Sequence, residues 1–299
     1  MINPEKKAYL ELHIAVLLFG FTAILGDLIQ LSAIALVWYR VMLAGISFLF
    51  FFRVRNALRK IPRELAVKYL LIGAIVALHW VAFFGAVKLA NASITLICLA
   101  TTSFMTSLLE PLIVKRPFYW YETALSILII PGMILIVQAV EADYYLGIVV
   151  GLISALLASL FGILNKKLIT RSDPLTISAI EMGGAFGFLS LLLPFIYILG
   201  GGIELTPSLS DIGYLLILAL LCTTLAYALA LRALHHLSAF VTALSINLEP
   251  IYGILLAIVI LKEHHELSPQ FYLGGALILI AVFSYPFVHN RFSKKKKVK

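Results

Sequence analysis

A carboxylate followed directly by a proline stands near the middle of a long apolar run late in the chain. Glu249 lies about 11 residues into the run 238–263, with Asn247 just before it and Pro250 just after it. Eleven helical residues rise about 16 Å, which is the middle of a hydrocarbon core about 30 Å thick. A carboxylate at that depth is costly and faces either a cavity or a hydrogen-bonding partner on a neighbouring helix. Glu249 is therefore the first candidate for contact with a substrate or a proton.

The proline beside Glu249 predicts a local opening of the helix. Pro250 has no N–H group, so the carbonyl of Ile246 loses its intrahelical hydrogen bond. Asn247 is near enough in sequence to satisfy that carbonyl, and it points to a different side of the helix from Glu249. We include Asn247 with Glu249 among the predicted substrate-binding or proton-coupling residues.

Two more charged side chains, of opposite sign, are predicted inside apolar runs. Arg40 lies about seven residues into its run, in the sequence VWYRVM. It either extends its charge to the membrane surface, beside two aromatic residues, or faces a cavity. In the second case Arg40 and Glu181 are predicted to bind the carboxylate and the amino group of a zwitterion. Their predicted depths differ, so a direct ion pair between them is not expected.

Four further side chains are candidates with two interpretations each. His79, near the middle of its run, is either a contact between helices or a proton carrier. Trp80 and Tyr227 either pack in the core or line a cavity. Glu110 lies beside Arg116 at the end of its run and is either an interfacial carboxylate or part of the site. The sequence leaves the structural and functional roles of His79 and Glu110 open.

The elements that must position these residues are those of an all-α polytopic membrane protein. The chain has 299 residues, of which 62% are hydrophobic and 13% are charged, and its mean hydropathy is +1.04. Soluble domains carry about 25% charged residues. Ten apolar runs are long enough to cross a bilayer. They are residues 12–31, 33–52, 67–87, 92–114, 122–140, 145–168, 175–199, 212–233, 238–261 and 271–288.

The distribution of lysine and arginine predicts how these ten helices are oriented. With the N-terminus in the cytoplasm, 20 of the 23 basic residues fall on the cytoplasmic side, Lys88 and Lys262 fall outside, and Arg40 lies within a run. Such an excess is typical of cytoplasmic loops. Both termini are therefore predicted to be cytoplasmic. The net charge of +8 is explained in this way without a nucleic-acid partner.

The two halves of the chain repeat one another. Trp80 aligns with Tyr227 at an offset of 147 residues, and Arg40 aligns with Glu181 at an offset of 141. Each half holds five predicted helices, an odd number, so the two halves are expected to lie in the membrane with opposite orientation. Inverted repeats are typical of secondary transporters, whose binding site lies near mid-depth between the halves. The predicted domains are repeats 8–141 and 144–289, followed by a basic cytoplasmic tail, 290–299.

With this repeat, the chain resembles the drug/metabolite transporter (DMT) superfamily, in particular its EamA-type permeases. The resemblance is carried by LLFGFTAIL at residues 17–25 and by LEPIYGILLAIVILKE at residues 248–263, and it extends over about residues 12–288. It implies a central cavity lined mainly by helices 1–4 and 6–9, with helices 5 and 10 at the periphery, and it favours export. The first half has Thr102-Ser103 where the second has Glu249-Pro250. A site symmetric between the halves is therefore not expected.

The predicted function is secondary transport by alternating access. A multi-pass protein of the bacterial inner membrane would export a small polar metabolite, such as an amino acid, and a homodimer in the lipid bilayer is compatible with the sequence. No catalytic residue, metal site or cofactor is predicted, because the two cysteines lie apart in apolar runs and no nucleotide-binding or hydrolase motif occurs. Two alternatives stay open: an intramembrane enzyme acting on a lipid, and a receptor or assembly protein that does not transport. A polar cavity reached by Glu249 would favour transport, whereas a closed and dry bundle would favour the receptor.

Overall fold

The computed structural model of the chain is built from helices throughout the part it describes. That part is residues 4–127, 131–132, 134–135, 142–199, 204–246, 248–261, 268–270, 272–277, 280, 283–284 and 287–288. The α-helices are α1 (Pro4–Leu28), α2 (Ala33–Leu49), α3 (Phe52–Leu58), α4 (Arg63–Leu89), α5 (Ala92–Ala100), α6 (Thr102–Val114), α7 (Trp120–Ile127), α8 (Tyr145–Leu168), α9 (Pro174–Leu199), α10 (Leu209–Ala219), α11 (Ala226–His236), α12 (Ala239–Ile246) and α13 (Glu249–Leu256). Short 3₁₀ turns at Ala142–Tyr144 and Ile169–Arg171 flank α8, and π-helical segments at Leu220–Leu225 and Ala257–Leu261 follow α10 and α13.

Six helical stretches in the described part are long and apolar enough to cross a membrane, or seven if α2 and α3 are counted as one bent pair. They are α1, α4, α5 with α6, α8 with its flanking turns, α9, and α10 through α11. The chain is therefore a multi-pass membrane protein. The predicted fifth and tenth helices lie partly outside the described residues and the basic tail lies wholly outside them, so the count of ten stays a prediction.

The second predicted helix ends three residues early. α2 stops at Leu49 and the chain turns by 96° into α3. The residues beyond the turn include Arg53 and Arg55, both exposed. Continuing the helix straight would carry these charges along the membrane normal, whereas the bend lets them lie along the membrane surface.

The predicted fourth and ninth helices are both interrupted in the middle. α12 ends at Ile246, whose carbonyl is the one freed by Pro250, and α13 begins at Glu249. The break between α5 and α6 falls at Thr101, whose hydroxyl donates to the carbonyl of Cys98 at 2.7 Å and so competes with the helical hydrogen bonds. Thr101 and Leu248 are 147 residues apart, which is the offset of the repeat. The two halves therefore interrupt equivalent helices at equivalent positions.

Helices α4 and α9 cross in backbone contact. A Cβ atom added to Gly73 would overlap the backbone of Glu181, and one added to Gly184 would lie 2.7 Å from the Cα of Leu70. Small residues at a helix interface permit this approach in a membrane, where close packing replaces the hydrophobic effect between helices. The crossing fixes the backbone of Glu181 against α4.

Hydrogen bonds between chain segments define two faces of the bundle. On the basic face, the side chains of Arg232, Tyr69 and Lys166 bind Glu11, the carbonyl of Leu168 and the carbonyl of Leu234, respectively. On the opposite, acidic face, Asp211 accepts from the N–H of Gln30, Lys88 donates to the carbonyls of Gly26 and Ile29, and Tyr39 donates to the carbonyl of Leu205. On each face, at least one of these contacts joins the first half of the chain to the second.

Candidate functional site

A cavity of about 120 Å³ lies in the centre of the bundle. It has room for several water molecules or a small solute. Its wall is formed by side chains from seven of the predicted helices. They are Phe19, Thr22, Arg40, His79, Trp80, Phe83, Leu99, Thr102, Thr106, Ala158, Ser159, Phe161, Gly162, Ile163, Asn165, Tyr227, Ala230, Leu231, Leu234, Ala239, Thr242, Ala243, Ile246 and Glu249.

The cavity wall extends further toward the basic face than toward the acidic face. On the basic side it includes Ala239, the first residue of α12. On the acidic side it stops at Thr22 and Phe83, each six residues before the end of its helix at Leu28 and Leu89. Six helical residues span roughly 9 Å. About 9 Å of packed helix therefore separates the cavity from the acidic face.

Arg40 is held in the cavity wall by neutral groups. Its Nε donates to the hydroxyl of Thr223 at 2.6 Å and its Nη2 to the carbonyl of Cys222 at 3.3 Å. The guanidinium carbon lies 3.9 Å from the centre of the Trp80 ring, which is a cation–π arrangement. Its Nη1 has no hydrogen-bond partner among the described residues. Because the side chain is only 1% exposed, Arg40 does not extend to the membrane surface.

The π-helical segment Leu220–Leu225 supplies the two hydrogen-bond acceptors of Arg40. A π-helical turn carries one more residue than an α-helical turn, and such turns occur frequently at functional sites. The hydroxyls of Thr223 and Thr224 donate to carbonyls five residues earlier, those of Leu218 and Ala219. The irregular turn thereby leaves the Thr223 oxygen and the Cys222 carbonyl facing Arg40 on α2.

Glu181 lies behind the cavity wall and contacts two residues of it. One carboxylate oxygen, Oε2, accepts hydrogen bonds from the hydroxyl of Tyr227 and from the side-chain amide of Asn165, the latter at 3.3 Å. The other oxygen, Oε1, has no partner among the described residues. Glu181 and Tyr227 are 0% and 4% exposed. The carboxylate thus reaches the cavity through Tyr227 and Asn165.

The predicted aromatic pair meets at the cavity. The ring centres of Trp80 and Tyr227 are 6.0 Å apart in an edge-to-face arrangement. These two residues occupy equivalent positions in the repeat, so equivalent points of the two halves face each other here. With Arg40 on Trp80 and Glu181 on Tyr227, the contacts form a continuous row from the guanidinium to the carboxylate.

Glu249 lies in the cavity wall as the first residue of α13, and it is 4% exposed. It is near enough to Arg40 for their charges to interact, although the two side chains form no ion pair within 4 Å. The broken helix delivers this carboxylate to the same cavity wall as Arg40, whose Nη1 has no partner among the described residues. Asn247, the remaining predicted site residue, lies outside the described residues.

His79 combines a structural contact with a place in the cavity wall. Its Nδ1 lies 2.9 Å from the carbonyl of Ser154, and the Ser154 hydroxyl is within reach of both Nδ1 and the carbonyl of His79. These contacts fit a ring that donates from Nδ1 to the Ser154 carbonyl, which leaves Nε2 as an acceptor. His79 thus ties α4 to α8 and also contributes to the wall.

Comparison with known proteins places this architecture in a family. The sequence matches the EamA-like transporter family over residues 6–138 and again over residues 145–285. The two matches together cover most of the chain. The chain belongs to the EamA-like transporter family. It is a membrane transporter of the drug/metabolite type, and this membership weighs against the intramembrane enzyme.

A solved structure entitled "Crystal structure of protein" has the same fold as this EamA-like chain. The two are 15% identical, with a TM-score of 0.71, and the likeness covers 96% of this chain and 99% of the other. At that identity the likeness concerns the fold alone. No curated protein matched this chain.

The cavity of this family member agrees with the predicted lining in seven of eight helices. Helices 1–4, 6, 8 and 9 of the predicted set contribute side chains, and the seventh contributes through Glu181 behind Tyr227. No described residue of the predicted fifth or tenth helix belongs to the wall.

Several polar wall residues of the EamA-like chain were not singled out from the sequence. Asn165 binds Glu181 and Tyr227, and Thr106 donates to Thr102 and lies 2.9 Å from Ser159. The signal was present: Thr102 and Thr106 stand four residues apart, on one side of a helix. Because hydroxyls and amides are common in helix contacts, their position alone did not distinguish a cavity from an interface.

Glu110, whose role the sequence left open, binds the start of a helix. Its two oxygens accept from the backbone N–H groups of Ala239 and Phe240, at 3.0 and 2.9 Å, and Arg116 donates to it at 3.0 Å. A carboxylate at a helix N-terminus satisfies free N–H groups and interacts well with the helix dipole.

Arg116 also binds Glu122 at 2.5 Å. Burial lowers the pKa of Arg116, but the hydrogen bonds and charges of these two carboxylates outweigh burial and raise its pKa overall.

The described residues contain no group of three or more histidine, cysteine, aspartate or glutamate side chains placed to hold a metal ion. The site of this EamA-like chain therefore consists of single ionisable groups set in an aromatic and hydroxyl-lined wall.

Proposed function

We propose that this transporter moves a small zwitterionic metabolite, with amino acids as the first class to test, out of the cell across the bacterial inner membrane. Two five-helix halves of opposite orientation would expose the central cavity to each side in turn. In this scheme both termini are cytoplasmic and the basic face is the cytoplasmic face.

The observation that carries the proposal is the separation of opposite charges in one cavity. Arg40 offers a guanidinium whose other contacts are neutral and whose Nη1 is unpartnered among the described residues. Glu249 lies in the same wall without an ion pair to Arg40. A substrate carboxylate on Arg40 and a substrate amino group on Glu249 would satisfy both charges, since paired and hydrogen-bonded charges are far cheaper inside a membrane than isolated ones.

Glu181 fits a second role in the same scheme. Its Oε2 is engaged by Tyr227 and Asn165, while its Oε1 is unpartnered among the described residues. Such a carboxylate suits the binding and release of a proton, and Tyr227 links it to the cavity. We assign Glu181 to proton coupling, and we assign Arg40 and Glu249 to direct contact with the substrate.

A cavity reached by Glu249 supports transport over the receptor or assembly protein. Its wall carries charged groups, hydroxyls and an amide, whereas a structural bundle has no need of such groups at its centre. The longer extension of the cavity wall toward the basic face fits loading from the cytoplasm.

Reconstituted vesicles test the proposal directly. Proteoliposomes are loaded with a mixture of labelled amino acids, and efflux is followed for the wild-type chain, Glu249→Gln and Arg40→Ala. We expect efflux of at least one amino acid from wild-type vesicles and a loss of more than tenfold in both variants. Glu64→Gln serves as the matched control, because Glu64 is an exposed carboxylate that pairs with Lys68.

Two results would overturn the proposal. Efflux from Glu249→Gln and Arg40→Ala vesicles at the wild-type rate would remove the proposed site. Transport confined to solutes that carry only one charge or none would remove the zwitterion.

A further inference from the structure

We propose that α3 and the turn before it form a binding surface for anionic phospholipid headgroups. This surface, called here the α3 patch, comprises Phe50–Phe52 and the basic residues Arg53, Arg55, Arg59 and Lys60. It lies apart from the transport cavity and does not depend on which solute is carried.

The first observation is the direction of α3. The chain turns by 96° at the end of α2, so a helix that follows a membrane-crossing segment runs roughly along the membrane plane. Val54 on its inner side is 0% exposed and belongs to the core, and Leu58, four residues later, packs against that core. These two side chains fix the helix to the protein with its other side outward.

The second observation is the chemistry of the outward side. Phe50 and Phe52 are 80% and 67% exposed, and Arg55 and Arg59 are exposed as well. Phe52, Arg55 and Arg59 share one side of the helix because they are spaced by three and four residues. The Arg55 guanidinium lies 5.8 Å from the centre of the Phe52 ring. Aromatic rings beside guanidinium groups are typical of helices that lie at the boundary between acyl chains and headgroups.

The third observation is the absence of countercharge. From Phe52 to Arg63 the sequence has five basic residues and no acidic one. No ion pair joins any of these five to a described carboxylate, and the next acid, Glu64, is already paired with Lys68 at 2.6 Å. Clusters of four or more basic residues next to a membrane helix attract anionic lipids, at about 1 kcal/mol for each residue near the surface.

These three features together select lipid phosphate as the occupant. The helix turns by 96° from a membrane-crossing segment, it exposes phenylalanine side chains beside its arginines, and its charge is complementary to phosphate. The α3 patch also joins α2, which carries Arg40, to α4, which carries His79 and Trp80. A bound headgroup would therefore hold together two helices that line the cavity.

The test uses the purified full-length chain in detergent, titrated with phosphatidylglycerol or phosphatidylcholine, and counts bound lipids by native mass spectrometry. The variant is Arg53→Gln/Arg55→Gln/Arg59→Gln. The matched control, Lys6→Gln/Lys167→Gln/Arg171→Gln, removes three exposed basic residues from other segments. We expect tighter binding of phosphatidylglycerol than of phosphatidylcholine by the wild-type chain. We expect a loss on the order of 100-fold in the α3 variant, weaker binding at higher salt, and little change in the control.

A second readout separates lipid binding from folding. All three proteins should unfold at the same temperature in phosphatidylcholine nanodiscs, because every substituted side chain is exposed. In phosphatidylglycerol nanodiscs the wild-type and control chains should unfold at a higher temperature than the α3 variant. Equal phosphatidylglycerol affinity in the α3 variant and the wild-type chain would overturn the proposal. So would an equal loss of affinity in the control.

Discussion

At the scale of single residues, two arginines show how surroundings decide what a guanidinium does. Arg116 lies between two carboxylates, Glu110 and Glu122, and its charge is used to hold helix ends together. Arg40 is held by a hydroxyl, a backbone carbonyl and an aromatic ring. None of these groups neutralises its charge, which is therefore available for the substrate carboxylate in the proposed mechanism.

Arg40→Lys is expected to lose transport nearly as completely as Arg40→Ala. A lysine ammonium lacks the planar fork that reaches Thr223 and Cys222 together, and it stacks less well on Trp80. We expect a drop of more than tenfold in efflux from proteoliposomes, with protein yield unchanged. Arg171→Lys, at an exposed position, should transport like the wild-type chain. Full activity of Arg40→Lys would show that only a positive charge is needed there.

Tyr227→Phe is expected to destabilise the chain by about 1–3 kcal/mol, because it removes a hydrogen bond from a buried carboxylate. The ring remains, so its contact with Trp80 is retained and the cavity keeps its shape. The pH profile of transport should also move, since the hydroxyl helps to set the proton affinity of Glu181. Unfolding in mixed micelles and efflux at several pH values measure the two effects. An unchanged pH profile would exclude Glu181 as the coupling group.

At the scale of helices, the two halves share an interrupted helix but differ in whether the interruption carries a carboxylate. Each interrupts a helix at an equivalent place, Thr101 in one half and Leu248 in the other. Only the second interruption delivers a carboxylate to the cavity. At the crossing of α4 and α9 the two backbones are already in contact, so a side chain added at Gly73 or Gly184 would force the helices apart.

Gly73→Ala is expected to destabilise the chain by about 1–3 kcal/mol, the usual cost of forcing an extra methyl group into a packed interface. Its Cβ would meet the backbone of Glu181, which cannot move aside as a side chain can. Gly183→Ala is the matched control, since its Cβ would have nothing within 4 Å. Thermal unfolding in detergent measures both. Equal stability of the two variants would show that the helices separate easily at Gly73.

Glu110→Gln is expected to cost about 2 kcal/mol of stability and to loosen the start of α12. The amide keeps one acceptor oxygen but loses the charge that binds two N–H groups and Arg116. A cysteine placed at Thr242, in the cavity wall, should then react faster with a thiol reagent; the two native cysteines are buried. Glu64→Gln should change the stability by no more than about 1 kcal/mol and should leave the labelling rate nearly unchanged. Unchanged labelling would show that Glu110 does not control access.

At the scale of the whole molecule, the cavity and the charge distribution point to the same side. The cavity wall extends further toward the basic face and stops roughly 9 Å short of the acidic face. Basic loops are typical of the cytoplasmic side, so this conformation agrees with the proposed uptake of solute from the cytoplasm.

The orientation of the chain is open to a direct test. Cysteines are placed one at a time at Lys115 and at Ser210, which lie in exposed segments at opposite faces. Each variant is then labelled in intact cells with a membrane-impermeant reagent. We expect labelling at position 210 and none at position 115 until the membrane is broken. The reverse pattern would place the basic face outside and would contradict both the orientation and the direction of export.

The charged residues of the candidate site are easier to single out from the sequence than the residues that surround them. Arg40, Glu181 and Glu249 stood out because a charge in an apolar run is rare and costly. The π-helical turn that holds Arg40 did not, since Thr223 and Cys222 fit an ordinary helix equally well. Asn165 was missed for the same reason: an amide inside a helix has no pattern that reveals its partner. The bend before α3 was predicted as straight helix, because Phe50–Phe52 continue the apolar run.

Glu110 bears on which conformational state of the transporter is favoured between transport cycles. If the two halves were identical and inverted, the states open to either side would have equal free energy by symmetry. The residue equivalent to Glu110 in the second half is Ala257, which has no carboxylate to bind a helix start. The contact between Glu110 and the start of α12 therefore has no equivalent in the other half. Each 1.4 kcal/mol of free-energy difference between the states open to either side changes the ratio of their populations tenfold. In the proposed alternating-access scheme, solute gradients would set the direction of net flux, while the carboxylate of Glu110 would bias the resting state from which each cycle begins.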